Sequence, residues 1–343
     1  MGRFLYVNND ASTNSVTGFA INQTDGSLSF LAGSPYATGG SGQYNYYAAK
    51  PIALAPQKEV LFAANKASDT ITAFKINPDT GVLTAIGAPV AGGGTMGASG
   101  SLEVNPAETL LFAANDSSQS ISVFSIALNG AITPVAGSPF AIGTEADGIS
   151  LSPDGTKLYV AAPNLSEPKL GVLSVAPSGA LSHIAGSPFS YTDGNELTSF
   201  VLSSLTVGLG GATGGILSSY TMAGTGGPTG LVSSLVIGIG GNQQSISTGR
   251  NGQLAILSGG LNIAAIGVAQ VAADGSLTQV PGSPFATTHF PSGYAAVHPS
   301  GDYLYATEGT YIETFNISPA GALTSLGVNA IGVGSGATGL VIY

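Results

Sequence analysis

Apolar residues recur along the chain at relative positions 0, 3 and 5 of a short stretch. The copies are Val16/Phe19/Ile21, Ile71/Phe74/Ile76, Ile121/Phe124/Ile126, Leu170/Leu173/Val175, Leu217/Tyr220/Met222, Ile266/Ala269/Val271 and Ile312/Phe315/Ile317. Successive copies start 46 to 55 residues apart, inside or just beyond the spacing of propeller blades. Each copy reads as a strand and is followed by a turn glycine: Gly26, Gly81, Gly130, Gly179, Gly230, Gly275 and Gly321. Glycine supplies the positive φ of a tight hairpin, so each of these strands is joined to an antiparallel neighbour.

Next comes Gly-Ser-Pro-aromatic, at Gly33 to Tyr36, Gly137 to Phe140, Gly186 to Phe189 and Gly282 to Phe285, reduced to Gly87-Ala88-Pro89-Val90 in the second copy. Proline removes a ladder donor, so the motif is expected to end an outer strand while the aromatic packs between units. A further apolar segment then runs into a turn and a Leu-Tyr/Phe strand, as in Ile149-Ser150-Leu151-Ser152-Pro153 before Leu158-Tyr159-Val160. Each unit is therefore four short strands, and four-stranded sheets repeated radially make a β-propeller.

The expected architecture is all-β, a seven-bladed β-propeller occupying residues 1–343 as one domain. The chain opens on Gly2-Arg3-Phe4-Leu5-Tyr6-Val7, which parallels Gly155-Thr156-Lys157-Leu158-Tyr159-Val160, and it closes on Gly339-Leu340-Val341-Ile342-Tyr343, which reads as an innermost strand. The C-terminal strand should thus complete the N-terminal blade and satisfy backbone groups that an open ring would expose. Two regions depart from the repeat: the link around Gln43-Tyr44-Asn45-Tyr46-Tyr47, and the Gly-rich fifth blade from Leu205 to Gly241.

Composition narrows the functional classes. Of 343 residues 51 are glycine and only 8% are charged, which fits a turn-rich β chain. A net charge of -10 with no Lys/Arg cluster argues against nucleic acid as a partner. The absence of cysteine removes disulfides, thiolate metal sites and thiol nucleophiles. The first residues lack the parts of a signal peptide, and no apolar run reaches membrane-spanning length. Low charge with abundant Ser, Thr, Asn and Gly favours a mature extracellular or cell-surface protein, with the cytoplasm as the alternative.

The Leu158-Tyr159-Val160 strand, the turns Asp25-Gly26-Ser27-Leu28 and Asp274-Gly275-Ser276-Leu277, and the Pro153-Asp154-Gly155 turn together resemble the seven-bladed lactonase-like propellers. That group includes 6-phosphogluconolactonase-type enzymes, muconate-cycloisomerising relatives and YVTN-repeat surface proteins. The resemblance covers essentially the whole chain and rests on blade-building motifs. It implies catalysis by His, Arg and Glu near the central channel, one group lying just before an innermost strand that ends in His-Pro. The matching stretch is Pro291-Ser292-Gly293-Tyr294-Ala295-Ala296-Val297-His298-Pro299. Its His-Pro ending is present, but Gly293 and Tyr294 stand where the resemblance implies Arg and His. The two arginines, Arg3 and Arg250, lie elsewhere.

Links from an outermost strand to the next innermost strand must finish at the channel mouth, so their polar residues are the natural site candidates. These are Lys50, Glu145, Asp147, Asp193, Glu196, Gln243, Gln244 and His289. The four carboxylates have the chemistry to bind Ca²⁺ or a cationic ligand, or to supply an acid/base pair, although solvated loop carboxylates are the commoner outcome. No other cofactor is implied, and the scattered histidines do not suggest a three-ligand metal site. His289 reads more readily as a packed loop histidine than as a base, and His298 as a structural turn residue. Tyr44, Tyr46 and Tyr47 form an aromatic cluster suited to stacking on a sugar or anchoring a protein partner.

The leading expectation from these residues is a non-catalytic extracellular or surface propeller that binds a protein partner or assembles with copies of itself. Its motives are the missing Arg/His pair, the sparse charge and the apolar, Gly-rich fifth blade, which has neutral surface to present to a neighbour. The first alternative is a lactonase-like hydrolase or isomerase using Glu145, Asp147, Glu196 and His289 at the channel mouth. The second is a carbohydrate-binding propeller using the Tyr44 to Tyr47 loop; Tyr44, Tyr46, Tyr47, Lys50 and Asp193 are the candidate ligand- or partner-binding residues.

Overall fold

The computed structural model describes residues 2–43, 50–162, 169–190, 197–203, 206–211, 216–239, 245–249, 252–258, 263–291, 294–332 and 336–343. Among them the chain is an all-β propeller, with a short 3-10 turn at Pro56–Lys58 and no helix long and apolar enough to cross a membrane. Seven antiparallel sheets follow one another along the sequence. The second is representative: Ile52–Ala55 is innermost, then Val60–Asn65, Thr70–Ile76 and Leu83–Ala85, with Val90–Ala91 pairing the start of the third strand. The innermost strands of the other blades are Leu102–Val104, Gly148–Leu151, Leu197–Ser203, Ser245–Gly249, Ala295–Val297 and, for the first blade, Gly339–Ile342. That last strand pairs antiparallel with Phe4–Asn8, in the register Leu5↔Ile342 and Val7↔Leu340. It also contacts both Ile52–Ala55 and Ala295–Val297, so the innermost strands neighbour one another all the way round.

The recurring positions 0, 3 and 5 turn out to be the inter-blade core. Val16, Phe19, Ile71, Phe74, Ile121, Phe124, Leu170, Leu173, Ile312 and Phe315 are all buried. Phe62 and Ile71 of the second blade pack with Leu111 and Phe124 of the third, and Tyr6 and Val16 of the first pack with Leu61 and Phe74 of the second. Both faces of the third blade's second strand are covered, which is why Leu110–Asn115 is buried at every residue. Burying each such Leu or Phe contributes about 1.5–3 kcal/mol. The tyrosines of the Leu-Tyr strands also tie blades together: Tyr6 donates to the carbonyl of Gly81 at 2.7 Å and Tyr305 to that of Gly26 at 2.9 Å. Gly81 has φ +72, and a Cβ there would lie 2.6 Å from the Phe4 ring, so both the turn and the tight blade contact require glycine.

The Gly-Ser-Pro motif differs from its sequence reading. Proline interrupts the outer strand and does not end it, because the chain resumes pairing at the aromatic, as in Val16↔Tyr36 and Ile121↔Phe140. The four Ser-Pro bonds are cis. Each serine hydroxyl accepts the third-strand N–H that the interruption leaves open: Gly18 to Ser34, Val123 to Ser138, Val172 to Ser187 and Val268 to Ser283, at 2.8 to 2.9 Å. The fifth and seventh blades lack the motif and keep long outer strands, Pro228–Val236 and Leu323–Ala330.

Candidate active site at the channel mouth

Strand alternation sets where side chains meet. Outer-to-inner links and second-to-third loops share one face of the ring, and the remaining turns share the other. Lys50 ends the link into the second blade and Tyr294 the link into the seventh, so both arrive at the same mouth. A cavity of about 290 Å³ opens there, lined by Lys50, Glu103 and Tyr294 together with an apolar wall that includes Leu54, Val104, Val297, Leu340 and Val341. Four blades contribute to it, the first, second, third and seventh.

Lys50 Nζ lies 2.5 Å from Glu103 Oε2, with both side chains about one-quarter exposed. Burial favours a neutral amine, but the Glu103 carboxylate outweighs it, and with Tyr294 it holds the Lys50 ammonium well above its ordinary range. Lys50 therefore stays charged through the physiological range. Burial likewise raises the Tyr294 phenol; the Lys50 charge pulls against this and the Glu103 carboxylate adds to it. Tyr294 is fixed by a pair of bonds to Thr307: its N–H donates to Thr307 Oγ1 at 2.9 Å and its carbonyl accepts from Thr307 N at 2.9 Å.

The segment Ala98–Leu102 is the hub under this mouth. The Lys50 N–H donates to Ser101 Oγ, and the Lys50 carbonyl accepts from Leu102 N. Ser99 and Ser101 hydroxyls both donate to the Asp147 carbonyl. Ala98 O accepts from Lys66 Nζ at 3.0 Å. Lys66 is buried and ion-paired with equally buried Asp10 at 2.8 Å. Burial lowers its pKa, and the carboxylates of Asp10 and Asp147 oppose that shift.

The candidates from sequence are dispersed. Lys50 sits at the centre of the site. Asp147 is half-buried and reaches it through its backbone carbonyl and through its charge near Lys66. Glu145 is exposed, and its pKa is raised by partial burial and by Asp116. His298 is structural, its imidazole held between Ser300 and the Gly2 carbonyl. His183 lies on an outer strand within 3.1 Å of the Ser187 hydroxyl. Tyr44, Tyr46, Tyr47, Asp193, Glu196, Gln243, Gln244 and Gly293 fall outside the described residues. Among the described residues there is no group of three or more acidic or histidine side chains placed to hold a metal ion.

His289 does not line the cavity. Its ring stacks on Tyr311 at 4.3 Å, and its Nδ1 and N–H lie 3.2 and 3.1 Å from Glu308 Oε2. Glu308 and Glu313 form a buried carboxyl pair in the seventh blade. Glu313 accepts from Thr288 N, Thr288 Oγ1 and Ser325 Oγ. Burial, and then the hydrogen bond and charge of Glu313, push the Glu308 pKa up to about 9, with the His289 N–H pulling against them. Burial works against the Glu313 carboxylate too, but the donors from Glu308, Ser325 and Thr288 hold it below its ordinary value. Of the two carboxyls Glu308 is thus the one that keeps its proton near neutral pH. The pair occupies a slot that is neutral elsewhere: Asn9 with Thr17, Asn65 with Thr72 and Asn115 with Ser122 make the corresponding side-chain bonds.

A second cavity, of about 430 Å³, lies on the opposite face and is lined by Arg3, Pro56, Gln57, Pro78 and Tyr343. Its guanidinium donates to the carbonyls of Pro78 and Asp79. Among the described residues no acid or base besides Arg3 and the Tyr343 phenol lines it, so the first cavity is the better chemical site.

The comparisons with known proteins agree with the resemblance read from the repeat. Residues 1–144 match the family described as lactonase, 7-bladed β-propeller. A Bacteroides fragilis protein provisionally assigned as a 6-phosphogluconolactonase superposes with a TM-score of 0.79 at 18% identity, covering 99% of this chain and 97% of its own. The Pseudomonas aeruginosa periplasmic gluconolactonase superposes with a TM-score of 0.77 at 17% identity, covering 98% of each chain. A Lactobacillus plantarum protein gives 0.76 at 19%, covering 99% of each. At these identities the likeness shows the fold. No curated protein sequence matches the chain.

These neighbours correct the leading expectation of a non-catalytic, self-assembling surface module. Structures that share the whole ring carry lactonase assignments. The expectation leaned on Gly293 and Tyr294 replacing an Arg/His pair, but a cation and a carboxylate reach the mouth from other blades, as Lys50 and Glu103.

Proposed function

We propose that the chain, as a single seven-bladed ring closed by its C-terminal strand, is a lactonase-like hydrolase that works at the channel mouth. The observation that carries this reading is the Lys50–Glu103 pair beside Tyr294, in a cavity at the convergence of four innermost strands. A carboxylate, a permanent cation and a phenol within one partly dehydrated pocket are the groups an ester hydrolysis needs. Glu103 takes a proton from water as the water oxygen bonds to the lactone carbonyl carbon. The Lys50 ammonium, with N–H bonds to spare beyond Glu103, steadies the oxyanion. The ring C–O bond then breaks, and the departing oxygen takes a proton from Tyr294, which regains one from Glu103 through solvent, giving the open hydroxy acid and the starting protonation of the site. Asp147 takes part as a positioning residue, since its carbonyl anchors Ser99 and Ser101 under Lys50.

The test is a panel of γ- and δ-lactones followed by acid release, with wild type, Glu103→Gln and Lys50→Met. Loss of a general base costs roughly 10²–10⁴-fold in rate, and Glu103→Gln should fall in that range while keeping the fold. Absence of turnover across the panel, or turnover unchanged in Glu103→Gln, refutes the proposal.

A further inference from the structure

Resting on that reading, we propose that the site takes an uncharged δ-lactone with an apolar body, such as an alkyl-substituted ring, and discriminates against phosphorylated and polyhydroxylated sugar lactones. Charge at the mouth is the first argument. The seven outer-to-inner links, residues 38–51, 92–101, 142–147, 191–196, 237–244, 287–294 and 331–338, contain one lysine, Lys50, and no arginine. They contain four carboxylates, Glu145, Asp147, Asp193 and Glu196. The one lysine is already neutralised by Glu103 at 2.5 Å, so the cavity carries no net positive charge with which to hold a phosphate dianion. Lys66, on a loop of the same face, is 1% exposed and committed to Asp10. A phosphate placed here would sit against the Glu103 carboxylate in a pocket of reduced dielectric, where repulsion is strong. Phosphate sites use several converging cationic donors, and these links hold no lysine or arginine besides Lys50.

The wall is the second argument. Among the described residues, apart from Lys50, Glu103 and Tyr294, every residue lining the cavity is apolar, with Leu54, Val104, Val297 and Leu340 prominent. The three polar groups match the needs of one ester: a carbonyl oxygen, an attacking water and a departing oxygen. Among the described residues the cavity wall offers no further side-chain partners for the hydroxyls of a sugar ring, and a hydroxyl buried without a partner is disfavoured. An alkyl substituent gains from the same wall. At about 290 Å³ the cavity is near the small end of ligand pockets, enough for one ring with a short chain.

The experiment compares δ-decalactone, glucono-δ-lactone and 6-phosphoglucono-δ-lactone by acid release, and measures binding of the unreactive analogue 6-pentylpiperidin-2-one by calorimetry. Two variants accompany wild type: Val297→Phe, which narrows the cavity, and Leu54→Asn, which makes its wall polar at a half-buried position. The expected result is kcat/KM for the alkyl lactone at least about tenfold above either sugar lactone, the equivalent of roughly two buried methylenes. Lactam binding should weaken in both variants. Equal or faster turnover of either sugar lactone overturns the inference and leaves the hydrolase reading standing. Lactam binding that weakens in the variants, without hydrolysis of any lactone, supports the ligand class and overturns the hydrolase reading. Neither binding nor hydrolysis overturns both.

Discussion

Replacing Glu308 by Gln should abolish an alkaline weakness of the fold. Glu308 is fully buried in the seventh blade, and its carboxyl is pushed up from 4.5 to about 9. The folded protein therefore keeps a proton that the unfolded chain gives up. A carboxyl raised in this way contributes stability that is fully present below its unfolded value. That contribution is lost as pH climbs and is gone once pH passes the folded value. Between these limits the slope for one proton is about 1.4 kcal/mol per pH unit. From pH 6.5 to 8.5 the wild type should lose roughly 3 kcal/mol relative to Glu308→Gln, whose amide imitates the protonated carboxyl and does not titrate. The groups facing Glu308 are Glu313 from its own blade and His289 from the link, with Tyr311 stacked on the far side of the imidazole. Because the two carboxyls titrate as a pair, the transition belongs to both. Urea denaturation of the two proteins at half-unit steps from pH 6 to 9.5 measures the difference. Parallel stability curves across that range would show that Glu308 carries no proton in the folded state and refute the assignment.

Other outcomes follow from the same geometry. Asp10→Ala strands the buried Lys66 ammonium beside Ala98 O and should cost about 3–5 kcal/mol in urea denaturation, the usual penalty for breaking a buried pair. Ser138→Ala and Ser283→Ala each leave a buried third-strand N–H without its acceptor. Each should cost about 1–3 kcal/mol, and the double variant should show the sum because the blades are far apart. Gly100 has φ +59, and a Cβ there would lie 2.8 Å from Lys66 Cγ. Gly100→Ala should destabilise by about 1–3 kcal/mol and slow any lactone hydrolysis, since the same segment carries Ser99 and Ser101; calorimetric melting and the lactone assay check both effects.

The propeller was legible in the sequence because what builds a blade is local. The spacing of Ile71, Phe74 and Ile76, the turn at Gly81 and the Leu-Tyr strands recur whatever the ring does. The site was only half legible. Lys50 could be placed because the length of its link puts it at the mouth. Glu103 could not, since Leu102-Glu103-Val104 reads as an innermost strand and nothing in the sequence tells that this carboxylate faces Lys50 across a blade boundary. A sequence signal did exist for the Glu308–Glu313 pair. Immediately after the first ruler position stand Thr17, Thr72, Ser122, Gly171, Ser218 and Gly267, all small, and then Glu313. Reading the ruler for its exception as well as its rule would have found it. His289 drew attention as a mouth histidine, but stacking on Tyr311 turns it towards Glu308, an orientation that no spacing encodes.

The first blade takes its strands from both ends of the chain, with Leu5 paired to Ile342. Every other blade is made of consecutive residues and is complete as soon as it has been synthesised. The strand Phe4–Asn8 must instead wait, one edge unpaired, until residues 339–342 have been made. During that interval a buried apolar edge is open to any passing strand. Pairing so distant in sequence is also slow to form, since the chain must close its longest loop before the contact stabilises anything. Assembly of this ring should therefore be governed by its seam: the blades built of consecutive residues fold on local information, and the last step pairs Phe4–Asn8 with Gly339–Ile342.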